Sequence, residues 1–308
     1  MDLEHKLKTA LDESRLLILG AQVLFGFQFQ AVFQDLFQSV SWYGKVAQCV
    51  ALSLILMAVA LLIAPSLLHQ LAYHGESRRE ALDAATRLAL ISPVPLMLGL
   101  GASTFTVFDH LFGKTSGLVA GTTFAALSLF LLYGLGIVLR TLRTGGHRMP
   151  DETGETSLKT KIEQLLTEAR VIIPGGQALL GFQFVATLTR SFSKLPESVK
   201  YLHAAALCSV ALAVTLLMTL APLHRIAFYG EDDETFFRIG SGLVVAAACP
   251  LAIGISADVY VVFFEVSRSK SVATMAALLS FAVLLCLWFV YPVWRRSARG
   301  HRLTNRSS

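Results

Sequence analysis

Eight stretches of this chain run for 19 to 24 residues without a single Asp, Glu, Lys or Arg. They are Leu16–Gln34, Val46–Leu68, Leu88–Phe108, Gly117–Leu139, Val171–Thr189, Tyr201–Leu223, Ile239–Ala257 and Ser271–Trp294. About 20 apolar residues carry a helix across the hydrocarbon core of a bilayer. A soluble bundle needs a polar outer face on most of its helices, and Val46–Leu68 offers almost none. Charged residues make up 15% of the chain and the mean hydropathy is +0.61, against about 25% charged in soluble domains. The sequence therefore predicts an all-α, polytopic membrane protein with eight transmembrane helices. The N-terminal "MDLEHKLKTALDESR" mixes both charge signs and lacks a basic start before a short apolar core. The first span is expected to insert the chain itself.

With eight spans the N-terminus, the even loops and the C-terminus share one side. That side carries 19 of the 26 basic residues and the other carries 7. By the positive-inside rule both termini are expected in the cytoplasm. The net charge of +5 is thus read as topology, with no nucleic acid as partner. The expected partners are the lipid bilayer and, at the tail "WRRSARGHRLTNRSS", anionic lipid headgroups. A homo-oligomer is allowed by the sequence and not specified by it.

Shifting the chain by 155 positions lays it on itself. Gly20 falls on Gly175, Gln22 on Gln177, and "GFQF" at Gly26–Phe29 on "GFQF" at Gly181–Phe184. Lys45 falls on Lys200, Pro95 on Pro250, Gly99 on Gly254 and Arg140 on Arg295. One register held over half the chain is the mark of duplication. The expected layout is a four-helix repeat at 1–144, a cytoplasmic linker at 145–157, a second repeat at 158–296 and a basic tail at 297–308. Four spans return the chain to its starting side, so the repeats should be parallel. Amphipathic leads precede each first span, at Leu3–Ser14 and Leu158–Glu168.

The first copy carries Glu13, Arg15, Gly20, Gln22, Leu24, Gly26 and Phe27, then Ala64, Pro65 and His69. The second carries Glu168, Arg170, Gly175, Gln177, Leu179, Gly181 and Phe182, then Ala221, Pro222, His224 and Arg225. This signature resembles the bacterial membrane family called domain of unknown function 6328. Its members are usually single four-helix units and are often labelled sodium:proton antiporters. The resemblance implies a tandem fusion located in the bacterial inner (plasma) membrane.

Gln22, Gln28, Gln177 and Gln183 place amides inside spanning segments, where an unpaired polar group costs several kcal/mol. Two readings follow. The amides hydrogen-bond across helix contacts, with Gly20, Gly26, Gly175, Gly176 and Gly181 allowing close approach, or they line a path near the repeat axis. Glu13, Arg15, Glu168 and Arg170 flank the cytoplasmic start of each first span and read as anchors. His69 and His224 sit at the cytoplasmic boundary behind Pro65 and Pro222, where a proline kinks or ends a helix. Asp109 and Asp258 fall near the outer ends of the third and seventh spans and do not share the 155 register. They read as interface anchors. His203 lies near the outer start of the sixth span, and its counterpart is Gln48. No midplane acid is visible, which argues against proton-coupled transport. Cys49, Cys208, Cys249 and Cys286 lack metal-ligand spacing and read as small apolar packing residues. No nucleophile, phosphate-binding or metal motif occurs, so no enzyme, cofactor or metal site is expected. The functional expectation is a multi-pass membrane protein of unknown activity, either a small-ion transporter or channel, or a non-transporting structural or interaction module.

Overall fold

The computed structural model describes residues 3–71, 79–142 and 157–294 of the chain, with side chains described from residue 17 onward and not at 69–71. The linker at 145–157, save Ser157, and the tail at 297–308 lie outside the described residues, as do the side chains of Glu13, Arg15 and His69.

The described residues form helices, turns and no strand. The first repeat holds α1 (Leu3–Ala31), α2 (Trp42–Leu71), α3 (Arg79–Ile91), α4 (Pro93–Phe112), α5 (Lys114–Leu129) and α6 (Leu135–Leu142). The second holds α7 (Leu158–Ala186), the short α8 (Arg190–Ser193), α9 (Glu197–Met218), α10 (Leu220–Phe228), α11 (Glu234–Ser267) and α12 (Lys270–Leu285). Seven helical runs are long and apolar enough to cross a membrane, and α1 contributes an eighth, shorter apolar stretch, Leu17–Ala31. It is short because Arg15 precedes it and the turns after Ala31 end it.

Local chemistry accounts for the helix ends. Ser92 separates α3 from α4, and Pro93 and Pro95 occupy the first turn of α4, where a missing N–H costs nothing. Pro65, Pro174 and Pro250 lie within continuous helices. Side chains of Ser157, Asp233 and Ser269 accept N–H groups at the starts of α7, α11 and α12, filling orphan donors. The amphipathic lead at Leu158–Glu168 is continuous with α7. Each repeat also carries a π-turn in its fourth span, at Phe130–Gly134 and Cys286–Val290.

The same crossing holds the second and third spans of each repeat together. A Cβ on Gly99 would stand 3.2 Å from the Ala51 carbonyl and 2.9 Å from Ile55. A Cβ on Gly254 would stand 3.1 Å from the Ala206 carbonyl and 2.5 Å from Val210. All three pairs of positions obey the 155 register. Only glycine fits a backbone approach this close.

The repeats meet along α1 and α7. Gly20 lies against Gln177, Phe27 against Gly181, and Leu36 N–H donates to the Leu188 carbonyl at 3.2 Å. Contacts advance together along both helices, so α1 and α7 run parallel. The core of Leu24, Ile55, Leu62, Leu96, Leu100, Ile162, Leu180 and Phe236 spans both repeats. The four cysteines are exposed on outer faces. The packing role expected of them does not hold where they are exposed, although Cys208 lines a groove between helices.

Candidate functional site

A helix leaves its last four carbonyls without intrahelical partners. Gln28 and Gln183 each stand three residues before the end of α1 and α7, so their carbonyls are among these orphans. Both are satisfied by a side chain from the next long helix. In the first repeat Gln48 Nε2 donates to the Gln28 carbonyl at 3.0 Å and to Gln28 Oε1 at 2.6 Å. In the second repeat the counterpart of Gln48 is His203, and its Nε2 donates to the Gln183 carbonyl at 3.1 Å.

The two sites then diverge. Position 103 is serine in the first repeat, and its Oγ donates to the Gly99 carbonyl of its own helix. Its counterpart in α11 is Asp258. Gln183 turns its amide to Asp258, with Nε2 donating to Oδ2 at 2.8 Å. His203 Nδ1 stands 3.5 Å from Asp258 Oδ1. His203 is buried, and the rim of Phe192 closes on its ring at a centroid distance of 4.8 Å. Gln28, Gln48 and Gln183 are all buried.

Valence fixes the tautomer. A carbonyl can only accept, so His203 Nε2 carries the hydrogen and a neutral ring presents a bare lone pair at Nδ1. That lone pair faces a carboxylate oxygen. His203 Nδ1 and Gln183 Oε1 are buried and make no hydrogen bond. One proton on Nδ1 or on Asp258 would turn two opposed acceptors into a donor and an acceptor.

A buried acid sits in the first repeat. Asp109 on α4 accepts a hydrogen bond from Ser41 Oγ and packs against Gly44 and Gly117. Asp109 is 7% exposed. Thr106 Oγ1 donates to the Gly44 carbonyl at 3.2 Å. The interface-anchor role expected of Asp109 and Asp258 does not hold, because both carboxylates turn inward to partners. Asp258 pairs with a residue 55 positions away, and its register partner is a serine, so the repeat pattern gave no signal. The spacing of Gln183 to a helix end was the available clue to the capping.

The remaining expected residues scatter. Gln177 is fully buried, with Nε2 3.8 Å from Met218 Sδ, whereas Gln22 is exposed. Glu168 is exposed. Arg170 and Arg225 line a small apolar cavity of about 30 Å³ with Leu17, Pro93 and Met218, and Arg225 donates to the Thr86 carbonyl at 3.3 Å. His224 Nε2 lies 3.3 Å from the Glu231 carbonyl, with its ring 4.4 Å from that of Phe236. Nearby Asp232 has its carboxyl pKa raised by burial, and His224 and Lys159 pull the other way. A wider groove of about 640 Å³ lies between α4, α5 and α9, lined by Phe108, Phe112, Val119, Tyr201 and Cys208. No member of the two capped sites lines either cavity.

A family model described as "Family of unknown function (DUF6328)" matches residues 2–136 and, again, residues 151–292. The chain belongs to this family. It carries the family's unit twice, and the seam between the matches falls where the 155 register restarts. No curated protein and no solved structure matches the chain. The double match assigns the two capped sites to equivalent places in two copies of one DUF6328 unit.

Proposed function

We propose that this DUF6328 protein is a multi-pass membrane protein whose second repeat binds a proton between His203 and Asp258, while its first repeat keeps the same place as a neutral brace. In this reading the chain crosses a bacterial inner membrane eight times with both termini in the cytoplasm. It acts as a proton-responsive module rather than as an enzyme. The observation that carries the reading is the opposed pair: Nε2 is committed to the Gln183 carbonyl, and Nδ1 stands 3.5 Å from Asp258 Oδ1 without a hydrogen bond. Ionisable residues within apolar spans are costly and tend to mark function.

The test is difference infrared spectroscopy of the protein in lipid while pH is stepped. A carboxyl or imidazolium band that titrates, and disappears in Asp258→Asn and in His203→Gln, supports the site. Identical spectra in wild type and both variants refute it.

A second reading, a small-ion transporter or channel, is favoured by the acid–base pair lying inside apolar helices. The burial of Gln28 and Gln183 speaks for packing instead. Proteoliposome flux decides between them: cation or proton flux lost in Gln28→Leu combined with Gln183→Leu supports transport, and no flux in wild type leaves the brace.

A further inference from the structure

The two repeats do not meet as mirror partners of one another. In a two-fold contact, every pair would recur with its positions exchanged through the 155 register. Apart from the register pairs Phe27–Phe182 and Asp35–Arg190, which exchange into themselves, the pairs occur once. A methyl on Gly20 would overlap the Gln177 amide, yet Gly175, the counterpart of Gly20, has open space, and Gln22, the counterpart of Gln177, is exposed. Gly181 receives the Phe27 ring, yet Gly26 meets nothing and Phe182 is 60% exposed. The fourth span repeats the pattern. Ser128 Oγ lies 3.2 Å from Thr215 Oγ1 across the repeats, and Leu132 is fully buried. Their counterparts, Val283 and Leu287, are 47% and 60% exposed, and Ala60, the counterpart of Thr215, is exposed.

The contact is therefore heterologous: one face of the first repeat docks on a different face of the second. Such a contact leaves one unused copy of each face, one on either repeat, and the two are complementary by construction. On α7 the free face presents Gly175 and the exposed side of Phe182, whose other side meets Phe27 at a centroid distance of 4.2 Å; on α1 it presents Gln22, Gly26 and Phe29. On α12 it presents Val283 and Leu287, toward the Ala60 side of α2. We propose that a second copy of this chain fills both faces, repeating the internal contact between molecules, with two chains and four repeats as the smallest closed ring.

Two observations support this occupant over lipid. Gln22 leaves an amide on an outward face of an apolar helix, which hydrocarbon penalises; this point rests on the membrane reading above, and the contact geometry does not. Charge also agrees. Asp35 pairs with Arg190, Nε to Oδ2 at 3.4 Å, and these two are register partners with exposed side chains. A ring repeating this contact sets Asp against Arg at every junction, within chains and between them.

The experiment uses the full chain in lipid nanodiscs and in native membranes, with Cys49, Cys208, Cys249 and Cys286 replaced by serine. Ser128→Cys with Thr215→Cys should form an intrachain disulfide and serves as the control for folding. Ala60→Cys with Val283→Cys should form an interchain disulfide, seen as a multimer on a non-reducing gel. Adding Gly26→Trp should lower that band at least ten-fold while leaving the control disulfide intact, because a side chain at Gly26 meets nothing within the chain. An absent interchain band beside a formed control overturns the proposal and assigns the faces to lipid. A band that survives Gly26→Trp also overturns it. Neither readout depends on the proton site.

Discussion

The carboxy-terminal ends of α1 and α7 are built from one motif and finished with different chemistry. Each ends three residues after a glutamine whose carbonyl is capped from the next long helix. The first repeat closes the site with neutral Gln48, leaving Gln28 Nε2 buried without a hydrogen bond. The second replaces Gln48 by His203 and Ser103 by Asp258, and sets a bare imidazole nitrogen against a carboxylate oxygen. The difference teaches that the cap is the constant and the charge is the addition. A position that must donate to a carbonyl accepts either an amide or an imidazole, and only the imidazole has a second nitrogen to offer.

Removing the cap should separate the two regions most sharply. His203→Leu leaves the Gln183 carbonyl uncapped and takes the imidazole away from Asp258, which keeps only the Gln183 amide. We expect a loss of about 3–5 kcal/mol, the range for breaking a buried charged pair. Gln48→Leu should cost about 1–3 kcal/mol, the range for an orphaned neutral group. Unfolding by steric trapping in bicelles would compare them, and equal losses would erase the distinction. Next in size, His203→Gln with Asp258→Ser rewrites the second site as the first. Stability should stay within about 1 kcal/mol, because every capped group keeps a neutral partner, and the titrating infrared band should vanish. The reverse graft, Gln48→His with Ser103→Asp, should create such a band in the first repeat. A silent graft would mean that surroundings beyond these three residues decide proton binding.

The smallest effect is expected at Asp232. Burial raises its carboxyl pKa above the unfolded value, so the folded state disfavours the ionised form. Its cost is full above the folded pKa, shrinks as pH falls from there toward the ordinary carboxylate value, and is gone below it. Asp232→Asn should therefore melt slightly higher than wild type near neutral pH and lose that advantage on acidification. A variant that melts lower at neutral pH would reverse the sign.

Much of the fold could be read before any coordinates. Charge-free runs of spanning length and a single 155 register carry the helical class and the duplication, because both are properties of spacing. The sites were less legible. Gln22 and Gln177 occupy identical motifs, yet one is exposed and the other fully buried. Nothing local distinguishes them; the difference comes from how one repeat seats on the other. The pairing of His203 with Asp258 escaped for a related reason. A repeat register marks positions that the copies share, and these two are ionisable in one copy alone. Gln28 and Gln183 were visible as buried amides, but their spacing to helix ends mattered more than their identity.

The paired crossings at Gly99 and Gly254 have a mechanical consequence. Where a backbone carbonyl rests against a glycine, two helices cannot slide without a clash, so each repeat is stiff at its waist. The seam between α1 and α7 carries glycine contacts of its own, Gly20 against Gln177 and Gly181 against Phe27, so the two repeats are held to one another by the same device.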